Sequence, residues 1–171
     1  MTDEAELEAF RREKEDFLLT DPMSPLAQEE RNRFRGLTYY PVDPGLEFIV
    51  TPDPYDEPET IAMPTSDGRI RPYERWAQIQ FEVSGQPFTL TVYRDEESGH
   101  LFLPFLDKTS GDETYGAGRY LELPVLEDGD LLLDFNYAYH PFCAYSPRYS
   151  CPLPPEENRL PIAIRAGERN A

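Results

Sequence analysis

Apolar residues return at a helical spacing at the start of the chain and at a strand spacing through most of the remainder. Over residues 3–19, Leu7, Phe10, Phe17 and Leu18 fall on one side of a helix. Asp3, Glu4 and Glu6 place negative charge in its first turn, where the helix dipole favours it. A second start signal stands at Ser24-Pro25, a capping residue followed by proline at the first helical position, and Gly36 after Phe34 supplies a stop. These signals predict a short second helix.

Beyond Gly36 the period becomes two. Residues 37–42 and 46–51 read as strands paired with each other across Asp43-Pro44-Gly45. The clearest hairpin joins residues 76–83 to 88–93 across Ser84-Gly85, with Ala77, Ile79, Phe81, Val83, Phe88, Leu90 and Val92 facing inward. Further strands are predicted at 101–105, 119–123, 131–139 and 160–165, bounded by Gly-, Pro- or Asp-rich turns. The expected fold is mainly β, an antiparallel β-sandwich or partly closed barrel with one or two N-terminal helices. It forms a single domain over 1–171, a helical segment at 1–36 and a β body at 37–171, with no repeat or linker to divide it.

Composition narrows the function classes. Apolar residues at 39% and aromatics at 13% argue for a packed core rather than disorder, while 18 prolines interrupt regular structure often. The formal net charge of −17 repels DNA, RNA and anionic membrane faces, so nucleic acid and membrane are not expected partners. Local cationic groups exist at Arg69, Arg71 and Arg75 and again at Arg119 and Arg148, read first as solvated or ion-paired arginines. The opening MTDEAELEAF has neither a basic n-region nor an apolar h-region, and no apolar run reaches the about 18 residues of a membrane helix. A cytoplasmic location is expected, where Cys143 and Cys151 stay reduced.

Chemistry-bearing residues concentrate between Asp107 and Asn158, where DKTSGDETYGAGRYLEL and LLLDFNYAYHPFCAYSPRYSCPLPPEEN depart from simple alternation. Gly111, Gly116 and Gly118 permit positive φ or close backbone approach there, and polar loops on a rigid sheet commonly carry binding residues. These stretches, with FLPFLDK before them, RL after them and the closing AGE, resemble an uncharacterised prokaryotic family, domain of unknown function sixteen-eighty-four, over nearly the whole chain. The resemblance implies no activity, cofactor or catalytic residue. It also implies that the position of His140 is usually asparagine, AYNP where this chain has AYHP, which counts against an essential imidazole.

The leading expectation is a small-molecule or anion binding domain whose polar, aromatic pocket draws on Asp107, Glu113, Tyr115, Arg119, Tyr120, Asp134, Asn136, Tyr139 and Tyr145. Arg119 is the natural partner for a ligand carboxylate or phosphate, with an internal ion pair to a neighbouring acid as the competing use of its fork. One alternative is a hydrolase-like enzyme using Asp107, Glu113 or Asp134 as acid or base, or Cys143 as nucleophile, on a small polar substrate. Another is a structural or interaction domain, including a homodimer through the Leu7, Phe10 and Phe17 face. His140, Cys143 and Cys151 form H-x2-C-x7-C, a weak zinc candidate that lacks paired C-x2-C spacing and an obvious fourth donor. No cofactor is implied, since no phosphate loop, dinucleotide fingerprint, nucleophile elbow or zinc-protease helix occurs. The Cys151-Pro152-Leu153-Pro154-Pro155 run reads as a rigid core-covering loop.

Overall fold

The first helix forms where its pattern places it. In the computed structural model, which describes residues 2–171, α1 spans Glu4–Thr20, and the Asp3 carboxylate caps it by accepting from the Ala5 and Glu6 amides. Leu7 and Leu18 are buried. Phe10 meets Tyr137 edge-on at 5.1 Å between centroids and Phe17 stacks on Phe142 at 5.4 Å, so the apolar face is covered by the chain's own aromatics. The second helix is shorter than its start signal predicts: α2 spans Gln28–Arg33. The Ser24 hydroxyl donates to the Leu18 carbonyl and accepts from the Leu26 amide, which fixes the connection after α1 instead of capping α2.

The nine strands are β1 (Thr38–Tyr39), β2 (Glu47–Val50), β3 (Asp53–Pro64), β4 (Ile70–Val83), β5 (Gln86–Asp95), β6 (Leu101–Phe105), β7 (Arg119–Glu122), β8 (Leu131–Asp134) and β9 (Glu168–Arg169). All named pairings are antiparallel, and the main sheet has the order β3-β4-β5-β6-β7. The predicted hairpin is its centre. Val83 pairs with Gln86, and Ser84 and Gly85 take φ of 52° and 78°, the positive pair a tight two-residue turn requires. Ala77, Ile79, Phe81, Leu90 and Val92 are buried, and Val83 and Phe88 pack against the same core.

Three strand expectations are corrected. β1 and β2 do not pair with each other: β1 pairs with β9 and β2 with β8. The Asp43 side chain accepts from the Gly45 amide and caps a 3-10 turn at Pro44–Leu46, which separates the two strands instead of folding them into a hairpin. The run predicted at 131–139 leaves the strand after Asp134, whose carboxylate accepts from the Asn136 amide and starts a second 3-10 turn at Phe135–Tyr137. The segment predicted at 160–165 is irregular, and only Glu168–Arg169 after it forms a strand. In the other direction, β3 is a strand that alternation does not reveal. It carries Pro54, Pro58 and Pro64 among acidic residues, and it lies at the sheet edge, where missing amide donors and charge are tolerated.

One bulge decides where the second apolar surface lies. Arg75 pairs with Tyr93 but Ala77 pairs with Val92, so Trp76 is the extra residue and the facing of β4 inverts there. Beyond it, Ala77, Ile79 and Phe81 join the main core with the β2–β8 ribbon, Phe48 lying 5.2 Å from Phe81. Before it, Tyr73 joins Met63, Tyr93, Phe102, Tyr120 and Cys151 in a cluster on the opposite face. The result is sandwich-like, with no closed barrel. No helix among the described residues is long and apolar enough to cross a membrane.

Gly118, which enters β7, has φ of 99°, and a Cβ there would lie 2.6 Å from the Phe105 carbonyl and 2.9 Å from Pro154 Cγ. Gly129 has a similar φ of 88° with open space around it. Gly118→Ala is expected to lose about 1–3 kcal/mol more stability than Gly129→Ala in urea unfolding, because the backbone at Phe105 cannot yield as solvent can. Equal losses would show that φ alone governs both positions.

Candidate functional site

The polar residues of the 107–158 block separate into an interior scaffold and an aromatic cleft. The scaffold centres on Glu168 of β9, whose side chain is 1% exposed. Its carboxylate accepts from Lys14 Nζ at 2.6 Å, from the His140 amide at 3.2 Å, from the Tyr145 hydroxyl, and faces His140 Nδ1 at 3.1 Å. Burial alone would raise this carboxyl, but the His140 hydrogen bond and the Lys14 charge outweigh it and hold it at about 2. Burial pushes the Lys14 ammonium down against the pull of Glu168, and pushes the Tyr145 hydroxyl up with help from the same carboxylate.

His140 is fully engaged in this scaffold. Its Nε2 accepts the Tyr115 amide at 3.3 Å, which leaves the proton on Nδ1 to be donated to Glu168. Neither nitrogen offers a lone pair to a metal or a substrate. An asparagine could serve the same two partners with one carbonyl and one amide.

Arg119 lies at the heart of the interior, 1% exposed. One terminal nitrogen donates to the Ala166 and Glu168 carbonyls at 2.6 and 3.1 Å, and the other to the Ile164 carbonyl at 2.8 Å and Asp107 at 3.5 Å. Only its Nε lacks a partner. The fork therefore threads the irregular C-terminal segment onto β7. Asp107 completes the joint by accepting the Ile164 amide at 2.6 Å and the Thr109 hydroxyl at 2.8 Å.

The other acids are also structural and do not converge. Glu113 accepts from the Tyr40 hydroxyl at 2.8 Å and from the Arg165 fork at 2.9 Å. Asp134 accepts from Thr2 and Asn136. Asn136 clamps the backbone of Asp43, accepting its amide and donating to its carbonyl at 2.9 and 3.0 Å. Asn158, which the sequence reading left outside its candidates, does the same for Thr91 and also donates to the Pro104 carbonyl at 2.8 Å. It fills the gap where β5 and β6 pair only at Tyr93–Phe102 and Arg94–Leu101.

The cleft, about 410 Å³, opens on the face that the Trp76 bulge creates. Tyr73, Phe102 and Tyr120 form its sheet side, and Tyr139, Phe142 and Tyr149 its loop side. Phe102 meets Tyr120 edge-on at 4.8 Å, and Tyr120 meets Tyr139 at 5.9 Å. The Tyr120 hydroxyl is spent on the Pro152 carbonyl. Tyr139 donates to Glu122 at 2.7 Å, and Glu122 faces His100 Nε2 at 2.6 Å. Arg71 stands at the edge, donating to the Ser150 carbonyl at 2.8 Å. Of the nine residues expected to form the pocket, only Tyr120 and Tyr139 line this cleft. Tyr115 sits beneath it, 6.2 Å from the His140 ring, and Tyr145 is turned to Glu168. Arg71, His100 and Glu122 line it without having been among the expected pocket residues; Arg71 alone carried a signal, as one of three clustered arginines.

The family model described as Protein of unknown function (DUF1684) matches residues 32–169. The chain belongs to that family. A solution NMR structure of the uncharacterized protein from gene locus rrnAC0354 of Haloarcula marismortui is similar at 45% identity with a TM-score of 0.75, over 97% of this chain and 93% of that one. No curated protein matches the chain. The family and this relative assign no activity, so the reading of this DUF1684 chain rests on its own geometry. A larger concavity, about 680 Å³, lies between residues 22–31 and 145–149. Arg31 there donates to the Leu26 and Asp21 carbonyls, the Tyr149 hydroxyl to the Met23 carbonyl, and Arg148 through Nε to the Ser146 hydroxyl. Among the described residues no group of three or more His, Cys, Asp or Glu is placed to hold a metal ion.

If His140 serves as one donor and one acceptor, His140→Asn should change stability by roughly 1 kcal/mol or less, while His140→Ala should cost about 1.5–3 kcal/mol by stripping a donor from a buried carboxylate. Urea unfolding of both variants at neutral pH separates them. Equal losses would mean that ring packing, not hydrogen bonding, is what the position supplies.

Proposed function

We propose that the aromatic cleft binds a small, flat organic molecule carrying an anionic group. The observation that carries this reading is the convergence of six aromatic rings from the sheet and the 139–149 loop around about 410 Å³, with Arg71 at the edge. Such a volume, mostly apolar with a few oriented polar groups, is the usual build of a small-ligand site. Rings on both sides can stack on a planar ligand, and the Glu122–Tyr139 bond fixes one wall. Arg71 donates to the Ser150 carbonyl and hydrogen-bonds the Tyr73 hydroxyl, and its remaining N–H donors can meet a carboxylate. A single anionic group answers to Arg71 at contact range, whereas a polyanion would meet the −17 net charge along its whole length.

Titration with benzoate and 4-hydroxybenzoate, followed by NMR, tests the reading. Saturable shifts are expected at Tyr73, Phe102 and Tyr139. Arg71→Ala should weaken binding by about 1.5–3 kcal/mol, roughly tenfold to a hundredfold, the worth of a charge-assisted bond. Arg69→Ala is the control, because Arg69 is turned to Asp67 at 3.1 Å. Absence of saturable shifts in the cleft, or equal losses in the two variants, would overturn it.

A further inference from the structure

Cys143 and Cys151 are the chain's only cysteines, and both are free. Cys143 occupies the 3-10 turn Phe142–Ala144 and is half-buried; Cys151 is buried. The Cys143 amide donates to Cys151 Sγ at 3.3 Å, and the Tyr115 hydroxyl donates to Cys143 Sγ at 3.5 Å. Cys151 is pinned from the other side by Ser66, whose amide donates to the Cys151 carbonyl at 2.9 Å and whose hydroxyl accepts the Cys151 amide at 3.1 Å. We propose that Cys143 and Cys151 form a thiol–disulfide exchange site, in which Cys143 attacks small organic disulfides and Cys151 resolves the product.

The two thiols are unequal in the way such a pair requires. Hydrogen bonding with Cys151, followed by the Tyr115 hydroxyl and Ser66, lowers the Cys143 thiol against the opposing effect of burial. The same interaction, followed by burial, raises Cys151, so Cys143 is the thiol of the two that ionises first. Attack by the Cys143 thiolate on R–S–S–R forms the Cys143–S–S–R bond, breaks the R–S–S–R bond and releases one thiolate. Negative charge on Cys143 is then gone, and with it the main cause that held the Cys151 proton. Cys151 loses that proton to solvent and attacks Cys143 Sγ, forming the Cys143–Cys151 disulfide and releasing the second thiolate. Two thiols and one small disulfide become one protein disulfide and two small thiols, and the two electrons pass from the protein to the small disulfide.

The test uses the full chain and oxidised glutathione, with free thiols alkylated at intervals and the products read by mass spectrometry. The intact protein is expected to lose two hydrogens and yield a Cys143–Cys151 linked peptide. Cys151→Ser should accumulate a stable glutathione adduct on Cys143, and Cys143→Ser should react at Cys151 about tenfold more slowly or less, the usual consequence of a raised, buried thiol. Tyr115→Phe, which keeps the ring and both cysteines, should slow adduct formation in the Cys151→Ser background. Equal reactivity of the two single-cysteine variants, or two thiols that stay free in the intact protein at a large excess of oxidised glutathione, would overturn the proposal. Circular dichroism of each variant establishes that the comparison is made on folded chains.

Discussion

A buried carboxylate must collect donors or leave the interior, and Glu168 collects them from two separate stretches of chain. Lys14 comes from the N-terminal helix, His140 supplies its amide and Nδ1, and Tyr145 brings its hydroxyl. The Glu168 backbone meanwhile pairs with Tyr39 in β1, and its carbonyl accepts from Arg119. Helix, loop and C-terminal strand are thus mutually dependent. Taking Glu168 and Lys14 out of water costs several kcal/mol per ion, and that cost is offset only while every partner is present. The arrangement ties the fold to one geometry more than it adds net stability.

That constraint also shapes the cleft. The loop from residue 139 onward is held at one end by His140 and Tyr145 on Glu168, and further along by Ser66–Cys151 and by the Leu153 amide on the Pro64 carbonyl. With Tyr139 bridged to Tyr120 and Phe142 and Tyr149 suspended between these anchors, the loop faces Phe102, Tyr120 and the Tyr73 that the Trp76 bulge turns to this side. Polar chemistry is therefore spent in the interior on positioning, and the accessible surface it positions is aromatic. The thiol pair lies at the boundary, Cys151 in the aromatic cluster and Cys143 in the loop that covers it.

Much of the fold was legible because periodicity reports burial. The first helix and the Ala77–Phe81 part of β4 bury one face each, so their apolar spacing survives in the sequence. Partner choice was not legible: β1 and β2 look like a hairpin, whereas the Asp43 cap and the distant Asn136 clamp shape the turn between them and each strand pairs elsewhere. β3 was hidden because an edge strand bearing prolines and acids does not need to alternate. Composition marked out the 107–158 block but could not say which of its polar residues face inward. Arg119 and Asn136 have the residue types of a ligand site and the burial of a scaffold. Arg71 was overlooked because the bulge that turns its part of β4 to this face is a one-residue change of register, invisible to spacing.

The state of the Glu168 carboxyl tests this account most directly. Its folded value lies below the ordinary 4.5, so its contribution to stability is fully present above about 4.5 and is lost as pH falls through about 2. The side-chain carboxyl carbon of Glu168 can be followed by NMR on the folded protein as pH is lowered. The account predicts that it remains ionised well below the range in which exposed glutamates protonate, for as long as the fold persists. A midpoint near 4.5 with the fold intact would contradict it, because a carboxylate so easily neutralised could not be the group on which helix, loop and C-terminal strand converge.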